Sequence, residues 1–332
     1  MDMDNIGIVV IGRNEGERLC ECLKSINDGT SCPVIYVDSG SIDTSVAVAR
    51  SFGAEVLELD SRQPFSAARA RNEGYARLIE LHPSVQFIQF VDGDCTLMTG
   101  WLDAARSALV MDSKRAAVIG HLQERNREAT PYNRLCALEW HSPPGDLTNF
   151  GSFGGLSMIR VDVLRKLGGF NPNVIAGEDS EFGVRMGLAG YKVTKIDQPM
   201  ATHDANITTF MQWWIRAVRA GHAIGQRSQL NGKTVLRDCV RERTSTLLWG
   251  IGLPLTVLVT LIPSNGLSVL LLGGYLTLYY RVRRYRRGQG DSHRDASLYA
   301  KFLLLAKFAN GVGLIKFYLN STVHRYEIIE YK

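Results

Sequence analysis

The run Val85-Gln86-Phe87-Ile88-Gln89-Phe90-Val91-Asp92-Gly93-Asp94-Cys95 ends an apolar, aromatic and β-branched segment abruptly in two carboxylates separated by one glycine. Val85, Phe87, Ile88, Phe90 and Val91 predict a buried strand. Gly93 permits a tight turn directly after it. Open α/β sheets bind ligands at the carboxyl ends of their strands. Asp92 and Asp94 are therefore candidates for a divalent-cation site, because hard cations take oxygen ligands and bridge phosphates. An ordinary Asp-Gly turn has the same local composition, so the neighbouring chain must separate the two readings.

Towards the N-terminus the pattern repeats. Ile6 to Ile11 predicts a first buried strand, broken by Gly12-Arg13-Asn14-Glu15, with a helix following on Leu19, Leu23 and Ile26. Pro33 to Val37 predicts a second strand, ending at Asp38-Ser39-Gly40-Ser41-Ile42-Asp43, and Asp43 or Thr44 can cap the next helix. Ala54 to Leu59 predicts a third strand, and Ser66 to about Leu81 a helix. Strands and helices alternating with short connections predict an α/β fold with a mainly parallel sheet covered on both faces. The candidate loops then share one sheet edge.

Beyond Cys95 the signals weaken. Thr99 to Met111 predicts a helix and Ala117 to Gly120 a short strand, whereas Gln123 to Pro144 shows no clear period. Asn149 to Ile159 is glycine-rich and then apolar, and Val161 to Leu167 predicts a short helix. Ile175 to Phe182 opens another helix, whose first turn carries Glu178, Asp179 and Glu181; acidic residues there also suit the helix dipole. Tyr191 to Ile196 alternates as a strand and leads to Met200-Ala201-Thr202-His203-Asp204, and Phe210 to Gln226 predicts a helix with Trp213, Trp214, Arg216 and Arg219.

The 332 residues carry 38 basic and 33 acidic side chains, a formal net charge of +5. No basic stripe interleaved with aromatics runs through the N-terminal two-thirds, so no nucleic-acid partner is expected. The six cysteines form neither a CxxC pair nor a zinc spacing, and free thiols in a reducing cytosol are the expectation. Met1 to Asn5 is acidic and runs straight into a strand, unlike a signal peptide. From Thr244 to Tyr280 the chain has no Asp, Glu, Lys, Arg or His. Pro263-Ser264-Asn265-Gly266 divides that run into arms at Leu247–Ile262 and Leu267–Tyr280, each shorter than the roughly 20 residues of a full span. A tight transmembrane hairpin, a re-entrant pair and a buried soluble hairpin all fit. Arg237, Arg241 and Arg243 on one side and Arg281 to Arg287 on the other would keep both ends in the cytoplasm. Leu298 to Leu319, apolar with Lys301, Lys307 and Lys316 spaced through it, predicts an interfacial helix.

Four segments in order, Val10 to Gly16, Val37 to Asp43, Ala70 to Gly74 and Val91 to Asp94, together resemble the successive signatures of family 2 glycosyltransferases. Gly177-Glu178-Asp179-Ser180-Glu181-Phe182-Gly183-Val184-Arg185 resembles that family's acceptor-side acidic motif, and the resemblance runs from about Ile6 to Gln226. It implies a GT-A fold and inverting transfer of a sugar from a nucleotide-diphosphate sugar, with a UDP-sugar the first expectation, in surface-glycan or exopolysaccharide synthesis. It further implies Asp92 by the donor ribose and Asp94 by a Mn²⁺ or Mg²⁺ ion. Asn14 and Glu15 fall to the donor side, as does Asp38, which matches the carboxylate meeting the nucleobase or ribose. Ser39 departs from the family's second aspartate there, so base selectivity does not follow from this motif. Arg69 or Arg71 can touch base or diphosphate, or be ordinary helix-surface arginines. Asp179 is the candidate general base, with Glu178 able to exchange roles with it. His203 resembles a further metal ligand and would favour Mn²⁺; Asp204 can orient its ring or replace it.

Gln212-Trp213-Trp214-Ile215-Arg216 approaches the Gln-x-x-Arg-Trp box of processive synthases without matching it, which favours addition of a single sugar. Arg216, with Arg219 and His222, can line the diphosphate or meet anionic headgroups, and either tryptophan can stack on an acceptor sugar or pack internally. The expected organisation is a GT-A domain over 1–235, a hydrophobic hairpin over 244–281 and an amphipathic segment over 296–332, at the cytoplasmic face of the cell membrane with a glycan or lipid-linked acceptor. Two competing readings are a sugar-nucleotide nucleotidyltransferase and a degenerate, non-catalytic binder. Gly12-Arg13-Asn14-Glu15-Gly16 lacks the basic triphosphate loop of the former, and the retained Asp92, Asp94 and Asp179 argue against the latter.

Overall fold

The computed structural model describes residues 5–28 and 31–323. The last residues of the expected 296–332 segment, 324–332, lie outside that range. The chain divides into two units. The first joins Met1–Arg125 to Trp140–Ala205, and the second joins Asn126–Glu139 to Asn206–Lys332.

In chain order the elements up to Ala205 are β1 (Ile6–Gly12), α1 (Glu17–Asn27), β2 (Val34–Asp38), α2 (Ser45–Ser51), β3 (Glu55–Glu58), α3 (Ala67–Leu81), β4 (Phe87–Asp92), β5 (Cys95–Leu97), α4 (Trp101–Met111), β6 (Arg115–Glu124), α5 (Pro131–Trp140), β7 (Gly145–Asp146), β8 (Ser157–Arg160), α6 (Val161–Leu167), α7 (Glu178–Leu188) and β9 (Lys192–His203). The strands form a sheet in the order β3-β2-β1-β4-β8-β6-β9-β5, with β7 pairing β9. The expected parallel sheet is its first half, where β3, β2, β1 and β4 all run the same way. From β8 onward the directions mix, since β8 runs antiparallel to both β4 and β6 while β6 and β9 are parallel.

Register fixes what the strand ends present. Gly12 lies opposite Asp38, and Ile11 opposite Asp92, so β1, β2 and β4 end at one level. Ile6, Ile8, Val9 and Val10 are wholly buried, as a strand covered on both faces requires. Helix α3 sits close against this sheet because Gly74 has no side chain: a Cβ there would lie 2.6 Å from Val9 and 2.7 Å from Val37. Ala70 to Gly74 lies within the helix expected from Ser66 to about Leu81, which Ser66 caps through the Arg69 amide at 3.1 Å.

The second unit contains most of α5 and then α8 (Phe210–Asn231), α9 (Val240–Thr246), α10 (Leu253–Thr260), α11 (Gly273–Gly288) and α12 (His293–Val323). Thr209 and Gln212 close a reciprocal capping box at the start of α8. Helices α8 and α12 meet through glycines: Gly221 faces the Asn310 backbone, Gly225 faces Phe317, and Gly313 faces the Val218 carbonyl. Between α9 and α10 the helix widens to a π turn at Leu247–Gly252, next to Pro254 in the first turn of α10. Proline has no amide to donate and its ring crowds the carbonyl four residues back, which the wider turn accommodates. The arm from Val240 to Thr260 is therefore one continuous helical path of roughly 30 Å at 1.5 Å per residue.

The hairpin is not buried among the described residues. Leu258 is 68% exposed, Leu270 75% and Ile262 85%. By length and composition, one described helix, His293–Thr322, is long and apolar enough to cross a membrane.

Candidate active site

The β1 and β2 ends are tied to each other by side chains. Asp38 is buried, and its carboxylate accepts from the Gly40 amide at 2.9 Å, the Ser41 amide at 2.8 Å, the Ser41 hydroxyl at 2.5 Å and the Tyr36 hydroxyl at 3.1 Å. Burial, followed by the Asp38 charge, pushes the Tyr36 phenol above its ordinary pKa, so it remains a donor. Asn14, in the left-handed region at φ 55°, donates its amide to Ser41 Oγ at 2.9 Å and accepts from the Ile42 amide at 2.8 Å. The Glu15 amide donates to Ser45 Oγ at 3.1 Å and its carboxylate pairs with Arg18 at 2.8 Å. Asn14, Glu15 and Asp38 thus belong to two interlocked loops at one sheet edge.

Arg71 is the pivot of the site. From α3 it reaches Asp92 at the end of β4 at 2.8 Å and Glu178 at the start of α7 at 2.5 Å. It is only 3% exposed and lies over the Phe170 ring at 5.7 Å. Burial alone would disfavour its charge, but Asp92, Glu178 and Asp179 outweigh burial and hold its pKa above the usual guanidinium value. Room for the side chain comes from Gly155, where a Cβ would collide with the guanidinium. Two motifs far apart in sequence, one ending a strand and one opening a helix, are therefore joined through one buried cation. Asp179 is half-buried beside them, its Oδ1 accepting from the Ser180 amide at 2.5 Å. Gly177 precedes this helix at φ 72°.

Asp94 faces elsewhere. Its Oδ1 lies 3.3 Å from His203 Nε2, and the Cys95 thiol donates to it at 3.7 Å. The ligand atoms of Asp94, Cys95 and His203 all lie within 4.8 Å of one another. Strand pairing builds this cluster, since His203 lies opposite Cys95 of β5 and opposite Glu124 of β6. Glu124, buried, lies 3.8 Å from His203 Nδ1 and accepts from the Ala205 amide at 3.0 Å. The Trp140 ring stands edge-on to the imidazole at 4.8 Å between centroids. The Asp204 amide donates to the Asp94 carbonyl at 3.2 Å, closing the backbone behind the cluster. A buried carboxylate and an imidazole nitrogen, with a second carboxylate on the far side of the ring, fit a divalent ion such as Mn²⁺.

The structure brings Asp94 and His203 together and gives Asp92 to Arg71. Arg69, two residues before Arg71 and on another face of α3, is spent on the loop before that helix: it donates to the carbonyls of Asp60 and Gln63 at 3.0 Å each and pairs with Glu73 at 2.6 Å. Arg216 belongs to the second unit, where it pairs with Glu139 at 2.9 Å. Trp213 is buried against Phe302 at 4.8 Å, and Gln212 serves the helix cap, so neither is left for a sugar. His222 is fully buried, and burial, then Lys316, lowers its pKa to about 4, which rules out a contact with headgroups. Sequence reasoning missed Glu124, Cys95 and Trp140. The signal for Glu124 was blurred because β6 slips register against β9 between Ile119 and Leu122, which interrupts the alternation after Gly120.

The fold that carries these residues has counterparts among known proteins. The family model described as Glycosyl transferase family 2 matches residues 7–168. Glycosyltransferase AglE of Haloferax volcanii is 26% identical over 219 residues, covering 60% of this chain and 67% of AglE. Among solved structures, the mannosyltransferase PcManGT from Pyrobaculum calidifontis in complex with GDP-Man and Mn²⁺ matches with a TM-score of 0.60 at 19% identity, covering 93% of this chain and 87% of that one. S. aureus TarS 1–349 matches with a TM-score of 0.56 at 14% identity, covering 99% and 95%. Against a longer TarS chain the match spans 46% of its length. The fold, the ordered strand-end motifs and the family match together identify residues 7–168 as a family 2 glycosyltransferase segment, on a GT-A fold.

Proposed function

We propose that this glycosyltransferase takes a sugar from a nucleotide-diphosphate donor and passes it, with inversion and one residue at a time, to a glycan or lipid-linked acceptor at the cytoplasmic face of a membrane. The observation that carries the reading is the division of labour at Asp92-Gly93-Asp94, with Asp94 in the His203 cluster and Asp92 locked to Glu178 through Arg71.

Asp94 and His203 would hold a divalent cation, Mn²⁺ or Mg²⁺, which when bound offsets the charge that develops on the departing diphosphate. Glu124, 3.8 Å from Nδ1 and so beyond hydrogen-bond reach, adds a second negative charge behind the imidazole. The interlocked Asn14, Glu15 and Asp38 loops offer the nucleoside its platform. Asp92, held in place by Arg71, faces the donor ribose. Asp179 accepts the proton of the acceptor hydroxyl as that oxygen attacks the sugar from the side opposite the diphosphate. Glu178, already paired with Arg71, is the less available base. The membrane setting is supported by the exposed, uncharged hairpin between Thr244 and Tyr280 and by its basic flanks.

A panel of nucleotide sugars tests this reading, with release of nucleoside diphosphate measured with and without Mn²⁺. Metal-dependent release with one donor, growing with added acceptor, is the expected result. Pyrophosphate release would instead indicate nucleotidyl transfer, and binding without turnover on every acceptor would indicate a degenerate binder.

A further inference from the structure

At the base of the hairpin, a cavity of about 570 Å³ is lined by Arg237, Arg241, Thr244, Ser245, Leu248 and Trp249. Arg241, Thr244, Ser245 and Leu248 follow helical spacing and share one face, while Arg237 comes from the preceding turn. That turn is built at some cost. Arg237 and Cys239 both take left-handed backbone, at φ 48° and 54°, without being glycine. Between them Asp238 is buried and held by Arg227 through two bonds of 3.0 and 2.7 Å. The buried pair anchors the turn and leaves Arg237 outside, exposed like Arg241.

We infer that this cavity binds the phosphate of a membrane lipid. Two guanidinium groups and the Ser245 hydroxyl supply donors for phosphate oxygens, while the Thr244 hydroxyl donates to the Val240 carbonyl at 2.9 Å. The same cavity continues into Leu248 and the Trp249 indole, where the uncharged run begins, so a ligand with a charged head and an apolar tail matches its lining. Arg237 apart, its polar and apolar walls run along one helical stripe, which a soluble anion would use only in part. The inference rests on the membrane reading of the hairpin.

The test uses the full chain and vesicle flotation. Vesicles of phosphatidylcholine alone are compared with vesicles that also contain phosphatidylglycerol, for the native chain, for Arg237→Gln/Arg241→Gln, and for Arg281→Gln/Arg284→Gln. The last variant removes the same charge from the other flank. The native chain is expected to bind both vesicle types and to prefer the anionic one by on the order of tenfold or more. Arg237→Gln/Arg241→Gln should lose most of that preference and keep its binding to neutral vesicles, whereas Arg281→Gln/Arg284→Gln should retain the larger part. Equal losses in the two variants would overturn the site in favour of diffuse charge attraction. Abolition of the preference by millimolar inorganic phosphate, at constant ionic strength, would overturn it in favour of a free anion. Failure to bind any vesicle would remove the membrane reading itself, and with it this inference.

Discussion

Asp92 and Asp94 stand two residues apart on one turn, yet their surroundings are opposite in electrostatic kind. Asp92 shares Arg71 with Glu178, so a buried cation already answers the two carboxylates. Asp94 and Glu124 instead approach His203 from opposite sides, at 3.3 Å from Nε2 and 3.8 Å from Nδ1. A buried charge is tolerated when it is paired or coordinates a metal. The first environment joins two motifs through one buried cation, and the second groups the ligand atoms that the proposed function gives to a divalent ion. The difference teaches that similar residues in one motif need not share surroundings: Asp92 is tied to an arginine and Asp94 to a histidine and a thiol.

The largest test of this contrast is Asp179→Asn, which should lower turnover by about 10² to 10⁴-fold while leaving donor binding in place. Near-normal turnover would remove Asp179 from the proton transfer and return Glu178 to consideration. Next comes Arg71→Met. It leaves Glu178 buried without its partner, for a loss of about 3–5 kcal/mol of folding stability in denaturant titration. Arg71→Lys should recover part of this, since it keeps the charge and loses the two-pronged reach; a stability equal to the native chain in both variants would mean the ion triad is dispensable.

His222 sharpens the contrast from the second unit, because there burial is met by giving up the charge. Its pKa falls from 6.5 to about 4 on folding. As pH drops, the unfolded chain takes up the proton first, so the stability is full above about pH 6.5 and is lost as pH falls towards 4. The loss amounts to up to about 3 kcal/mol by the usual 1.36 kcal/mol per pKa unit. Thermal melts of His222→Gln across that window should show a shallower acid decline than the native chain. The smallest effect is expected for His203→Ala, which should raise the Mn²⁺ concentration for half-maximal activity by about 10–100-fold. An unchanged metal dependence would take His203 out of the cluster's function.

The parallel half of the sheet was legible because β1, β2 and β4 are short contiguous apolar runs, each broken by polar turn residues. The candidate residues at their ends were legible for the same reason. What Arg71 does was not, since its partner Glu178 is 107 residues away and a helical arginine looks alike whether buried or solvated. Gly155 was visible as a glycine but not as the space that admits Arg71. Helix α5 escaped because its short, mixed sequence presents no clean apolar face, and β6 was cut short by the register slips that deliver Glu124 to His203. Trp213 could not be assigned from sequence because Phe302, against which it packs, comes from α12 at the other end of the second unit.

The most direct test of the division between Asp92 and Asp94 is Mn²⁺ binding by electron paramagnetic resonance, in the presence of nucleoside diphosphate, for Asp92→Asn and Asp94→Asn side by side. Loss of bound Mn²⁺ in Asp94→Asn, with binding largely retained in Asp92→Asn, is the predicted result. Retention in Asp94→Asn with loss in Asp92→Asn would contradict it.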